Sequence, residues 1–220
     1  MREYCPPTEP FLSVVYSDDA LLVLDKPSGL LSVPGRDPAH RDSLASRAQE
    51  RFPDALIVHR LDMDTSGLVI MARSPEVHRK LSTLFQNRQV EKIYCAKVWG
   101  EPGDDTGEID LPLICDWPNR PRQKVDFEVG KPSLTRWEKI SATDGCSLIR
   151  LKPVTGRSHQ LRVHLQAIGH PILGDPFYAH PQALAAAPRL LLHATELALA
   201  HPETGEWLHF SSKPEREWFQ

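Results

Sequence analysis

The chain has 220 residues, of which 40% are hydrophobic and 25% charged, a balance that excludes a small stapled fold, a fibrous repeat and a largely disordered polypeptide. The longest apolar runs, Leu21 to Leu24 and Leu68 to Ala72, are too short to span a bilayer, and the opening MREYCPPTEP has no apolar signal core, so a cytoplasmic location is expected. The net charge of −3 hides an uneven distribution, with +4 on residues 26–100 and +5 on 111–169 against −4 on 1–25 and −5 on 101–110, so charge alone neither excludes nor identifies a polyanionic partner.

In chain order, residues 14–27 (VVYSDDALLVLDKP) predict two short strands turning at Ser17–Asp18–Asp19, followed by a Pro/Gly loop, KPSGLLSVPG. Leu44, Ala48 and Phe52 at helical spacing predict a helix over 43–52. Ser74–Pro75 opens a second helix, with Val77, Leu81, Leu84 and Phe85 on its apolar face. Strands are expected at 92–99, 107–114, 124–129, 133–140 and 147–151, then a helix from Ser158 to Ile168 that stops at Gly169. Closing strands follow at 190–199 and 207–210. The elements predict an α+β fold with mostly antiparallel pairing, without internal repeats or a dividing linker. Cysteines at 5, 95, 115 and 146 make no C-x-x-C pair, so free thiols and no metal are expected.

Two segments concentrate chemistry. In LIVHRLDMDTSGLVIMAR, residues 56–73, apolar runs enclose His59, Arg60, Asp62, Asp64, Thr65, Ser66 and Gly67. Polar groups at the ends of buried strands are costly unless they pair or do work, but a polar turn with Gly67 at an unusual backbone angle fits the same composition. In an extended segment Asp62 and Asp64 point to opposite faces, so only one would reach a substrate. The second segment, residues 151–175, carries His159 and Arg162 at i,i+3 and Gln160 and His164 at i,i+4. A zinc site on His159, His164 and His170 fails, because the i,i+5 spacing of the first two turns a helix by about 140° between ligands. Glycine-rich phosphate loops, H-E-x-x-H and G-x-S-x-G are absent. The run Asn119–Arg120–Pro121–Arg122–Gln123–Lys124, flanked by Trp117, forms a basic strip that proline keeps out of helix, suited to a nucleic-acid backbone or to a solvated hairpin tip.

H-R-L-D-x-x-T-S-G-L at 59–68, E-K-I-Y at 91–94 and K-P-x-T-G-R-x-H-Q-L-R-x-H at 152–164 closely resemble, in order, the signature segments of the RluA family of pseudouridine synthases. The resemblance extends to KPSGLLSVPG, to 110–125, to HPILGD at 170–175 and to LLLHA at 190–194. It implies a mixed, mostly antiparallel central sheet with flanking helices and a central RNA-binding cleft. It also implies one catalytic domain over 1–220 with no S4 domain, since only a hairpin, a loop and a helix precede H-R-L-D. Residue by residue, it makes Asp62 the catalytic aspartate, Tyr94 the tyrosine stacked on the target base, Arg162 the aspartate's basic partner and Arg60 a group that helps hold the extruded nucleotide. Arg120, Arg122 and Lys124 are the further substrate-binding candidates. The implied substrate is structured RNA, a 23S rRNA hairpin and tRNA anticodon stem-loops. Neither cofactor nor metal, no membrane and no obligatory protein partner are expected. An RNA N-glycosidase using the same carboxylate, or a non-catalytic RNA-binding module, are the competing readings.

Overall fold

The computed structural model describes residues 4–214 and Trp218. Residues 1–3 of the opening segment, read above as lacking a signal core, lie outside the described residues. In chain order the elements are β1 (Ser13–Ser17), β2 (Leu21–Lys26), α1 (Leu44–Arg51), β3 (Leu56–Ile57), β4 (Ser66–Ala72), α2 (Pro75–Gln86), β5 (Glu91–Trp99) and β6 (Thr106–Asp110). They continue with β7 (Leu113–Cys115), β8 (Gln123–Val125), β9 (Leu134–Thr143), β10 (Cys146–Pro153), α3 (Gln160–Ala167), α4 (Pro181–Ala185), β11 (Leu192–Ala200) and β12 (Trp207–Ser211). The class is α+β, as the sequence predicts. No described helix is long and apolar enough to cross a membrane. The chain divides into two compact units, Met1–Lys92 with Ala194–Lys213 and Ile93–His193 with Pro214–Gln220.

In the first unit the strand order is β1, β2, β4, β11, with β3 also on β4 and β12 on β11. The β1–β2, β2–β4, β3–β4 and β11–β12 pairings are antiparallel. The expected hairpin is present, and Asp18 Oδ1 closes its turn by accepting from the Ala20 and Leu21 amides at 2.8 and 2.7 Å. All seven residues of β4 are buried, which its unbroken apolar run requires of a central strand. Helix α2 begins as its sequence dictates: Ser74 caps the Val77 amide at 3.1 Å and Pro75 occupies the first turn. Val77 and Leu81 then pack into the core with Leu68, Ile70 and Leu197. Gly67 sits at φ +110°, and a Cβ there would meet the Ala194 carbonyl oxygen at 2.3 Å, so the position admits only glycine.

In the second unit the order is β5, β10, β9, β6, with β7 and β8 forming a separate two-stranded sheet. Three expectations need correction here. The single strand predicted over 107–114 is two strands in different sheets, broken at Leu111–Pro112, where proline removes a ladder donor. The strand predicted over 124–129 stops at Val125. Beyond it Asp126 Oδ1 accepts from the Glu128 and Val129 amides at 3.1 and 3.0 Å and bends the chain into an Asx turn. The third helix starts at Gln160 and not near Ser158, because His159 adopts a left-handed conformation, φ +53°. The core of this unit joins Ile149 and Leu151 of β10 to Leu161 and Leu165 of α3.

Candidate active site

The segment between β3 and β4 carries Arg60 and Asp62. Arg60 is exposed and Asp62 half-buried. The backbone is not extended there, as the sequence reading assumes: the Thr65 amide donates to the Asp62 carbonyl at 3.2 Å, making 62–65 a turn, so the alternation argument separating Asp62 from Asp64 does not apply.

The Pro/Gly loop after β2 holds that turn through its main chain. Lys26, wholly buried, donates from Nζ to the carbonyls of Pro27, Leu30 and Met63 at 2.9, 2.7 and 2.9 Å. The Gly29 amide reaches the Met63 carbonyl at 2.9 Å and Ser28 Oγ the Asp64 carbonyl at 2.7 Å. Ser32 Oγ donates to the Leu61 carbonyl at 2.7 Å and accepts from the Leu61 amide at 3.1 Å. A buried ammonium is tolerated because three carbonyl dipoles replace its hydration. On the other side His59 accepts from the Ile70 amide through Nε2 at 3.0 Å and stacks on Phe85 with 4.5 Å between ring centres. Burial, helped by the charge of Lys92, pushes its pKa down to about 3, so the ring is neutral with its proton on Nδ1.

In the second unit α3 distributes its polar groups by face. Gln160 and His164 turn toward β9: Gln160 Nε2 donates to the Leu134 carbonyl and lies 3.0 Å from Thr135 Oγ1, and His164 Nδ1 lies 2.9 Å from the same hydroxyl. Desolvation lowers the His164 pKa against the opposing pull of the Leu111 carbonyl. Gln160 and His164 are therefore satisfied interior groups that pin the helix to the sheet.

Arg162 points elsewhere. Its Nε and Nη2 bind Asp175 Oδ2 and Oδ1 at 2.8 and 2.6 Å, with the two residues 2% and 1% exposed. Its guanidinium lies 5.2 and 5.3 Å from the ring centres of Phe177 and Tyr178. Asp175 Oδ1 also accepts from the Phe177 amide at 2.9 Å. The Tyr178 hydroxyl shares a 2.6 Å hydrogen bond with His159 Nδ1 and accepts from the Gln123 amide at 2.8 Å, tying the start of β8 to the start of α3.

Tyr94 is half-buried on β5, opposite Leu151 of β10 and against the second core. Arg120, Arg122 and Lys124 are all exposed. Arg120 lies over the Trp117 ring at 4.3 Å, Arg122 over Phe177 at 5.9 Å, and Lys124 faces Asp126 at 3.4 Å. Of the candidates, the second unit thus brings Arg122 and Arg162 to one phenyl ring. Sequence reasoning missed Lys26, Asp175 and Tyr178. For Asp175 a signal existed, since it is the only carboxylate between residues 170 and 195 and a buried arginine requires one.

Residues 20–167, more than half of the chain, match the family model described as RNA pseudouridylate synthase. The dual-specificity RNA pseudouridine synthase RluA of Escherichia coli strain K12 is 54% identical over 213 residues, covering 96% of this chain and 97% of that protein. The protein of the same name from Pasteurella multocida is 54% identical over 212 residues, with the same coverage. Among solved structures, human RNA pseudouridylate synthase domain containing 1 superposes with a TM-score of 0.77 at 30% identity, covering 92% of this chain and 83% of that one. Human RNA pseudouridylate synthase domain containing 4 gives 0.76 at 27%, covering 94% and 90%. With its three signature segments in order on this fold, the chain belongs to the RNA pseudouridylate synthase family.

Proposed function

We propose that the chain isomerises uridine to pseudouridine in two kinds of structured RNA, a 23S rRNA hairpin and tRNA anticodon stem-loops. The observation that carries this reading is the H-R-L-D aspartate on a turn fixed by a buried lysine and two serines, in a chain so similar to proteins named dual-specificity RNA pseudouridine synthases. Asp62 supplies the carboxylate, which attacks C6 of the ring or assists departure of the base at C1′. Either route needs it ionised, and a cation nearby favours the charged carboxylate. We assign that cation to Arg162.

The N1–C1′ bond breaks, the detached base turns, C5 joins C1′, and the proton on C5 is lost while N1 gains one, with no redox change. Tyr94 stacks on the extruded base, recovering part of an unstacking cost of roughly a few kcal/mol, and Arg60 helps hold the nucleotide. Arg120, Arg122 and Lys124 contact the phosphate backbone.

The test is tritium release from RNA labelled at uridine C5, comparing the native protein with Asp62→Asn. Release should fall to background in the variant while its fold persists, and Asp64→Asn, at a position the H-R-L-D-x-x-T-S-G-L motif leaves open, should retain activity within a few-fold. Free uracil in place of a retained isomer would identify an N-glycosidase. Turnover by Asp62→Asn, with contamination excluded, would remove Asp62 from the chemistry.

A further inference from the structure

The segments that flank the small sheet of β7 and β8 expose large apolar side chains. Trp117 at its tip is 65% exposed, and Phe127 and Val129, beyond β8, are 78% and 65% exposed. Three of the large exposed hydrophobics among the described residues thus fall within thirteen positions, interleaved with Arg120, Arg122 and Lys124. Exposed apolar clusters of this kind mark interaction surfaces.

Trp117 differs from the other two in how it is held. It lies in a single 3₁₀ turn, Trp117–Asn119, closed by the Asn119 amide on the Asp116 carbonyl at 2.9 Å and by Asn119 Nδ2 on Asp116 Oδ2 at 2.9 Å. The Asp116 amide in turn donates to the Arg122 carbonyl at 2.9 Å, fixing the turn to the strand pair. The Arg120 guanidinium covers one face of the indole at 4.3 Å, a cation–π contact that orients the ring while its carbon skeleton stays open to solvent. A flat aromatic face beside a guanidinium that makes no ion pair among the described residues is the arrangement that binds single-stranded nucleic acid, since every base has a π-face and every nucleotide a phosphate.

We infer that Trp117, backed by Arg120, is a stacking platform for an unpaired base that neighbours the target uridine in the RNA loop. This rests on the reading of the chain as an RNA pseudouridine synthase. The platform makes loop nucleotides, and not only the target base, part of what the protein recognises. It suits an enzyme that accepts RNAs of different stems, because stacking tolerates any base where hydrogen-bond readout would not.

The test uses the full chain and two RNAs: a stem-loop with uridine in its loop, and the same stem-loop with abasic sites at the loop positions flanking that uridine. Trp117→Ala should weaken binding to the intact stem-loop by about ten-fold, in line with stacking measured by alanine substitution, and Trp117→Phe should restore most of it. On the abasic RNA, native protein and Trp117→Ala should bind alike. Indole fluorescence quenched by the intact RNA should lose that component in Trp117→Phe. Phe127→Ala, at a ring still more exposed but with no cation over it among the described residues, should have a smaller effect. An equal loss on both RNAs, an equal loss in Phe127→Ala, or a change in oligomeric state in place of RNA affinity would each overturn the inference. Tritium release by the native protein, measured alongside, separates these outcomes from failure of the pseudouridine synthase reading.

Discussion

Arg162 and Asp175 form a two-point ion pair almost wholly withdrawn from water, so the arginine assigned to the chemistry is aimed by a carboxylate thirteen residues away. Breaking one side of a buried pair leaves an uncompensated charge, which costs about 3 kcal/mol or more. Asp175→Asn should therefore lower unfolding free energy by that order in urea titration. Any protein that remains folded should show reduced kcat.

Tyr94→Phe should separate stacking from proton transfer. The ring remains, so RNA affinity should change little. If the hydroxyl assists removal of the C5 proton, its loss should lower turnover, with RNA retained on the enzyme in a gel-shift assay. Unchanged turnover would confine Tyr94 to stacking.

Neutralising Arg120, Arg122 and Lys124 together should flatten the salt dependence of RNA binding. Two arginine contacts to a single strand account for about 1.4 in log–log slope. Lys124 adds less because Asp126 already neutralises part of its charge at 3.4 Å. The chemical step at saturating RNA should be nearly unchanged.

His59 makes stability depend on pH. Its native pKa is pushed down to about 3, against 6.5 for the ordinary side chain, so below 6.5 the unfolded chain binds a proton that the native one refuses. The contribution is fully present above pH 6.5 and is lost as pH falls toward 3. Stability should drop by up to about 1.4 kcal/mol per pH unit from this group. His59→Gln, which keeps an acceptor for the Ile70 amide, should show a correspondingly shallower slope between pH 4 and 6 in denaturant titrations.

The elements set by local rules were legible in the sequence. Ser74–Pro75 and a 3.6-residue apolar period fix α2, and Asp18 with its apolar flanks fixes the first hairpin. What depends on tertiary contact was not. Periodicity carries no sign that Asp62 to Thr65 turns, because the groups that bend it sit on the loop at 26–32. Nor does it show that Lys26, at the end of an apolar strand, is a buried hub and not a surface charge. The signature residues pointed to a site, but the side chains that aim them were not singled out: Asp175 ends a segment read for its histidines and arginines, and Tyr178 lies beyond it.

The clamp on the 62–65 turn grips atoms that every amino acid has. The Leu61 amide and the carbonyls of Leu61, Met63 and Asp64 take its bonds, and no side chain at 63 or 64 appears in them. Sequence identity at those two places is thereby uncoupled from geometry at Asp62. The neighbourhood of the aspartate is free to diversify, through mutations at 63 and 64 that alter what the turn shows to its surroundings while the carboxylate keeps its place. The constraint has moved to Lys26, Ser28 and Ser32, which lie some thirty residues earlier, and substitutions there should be the intolerant ones.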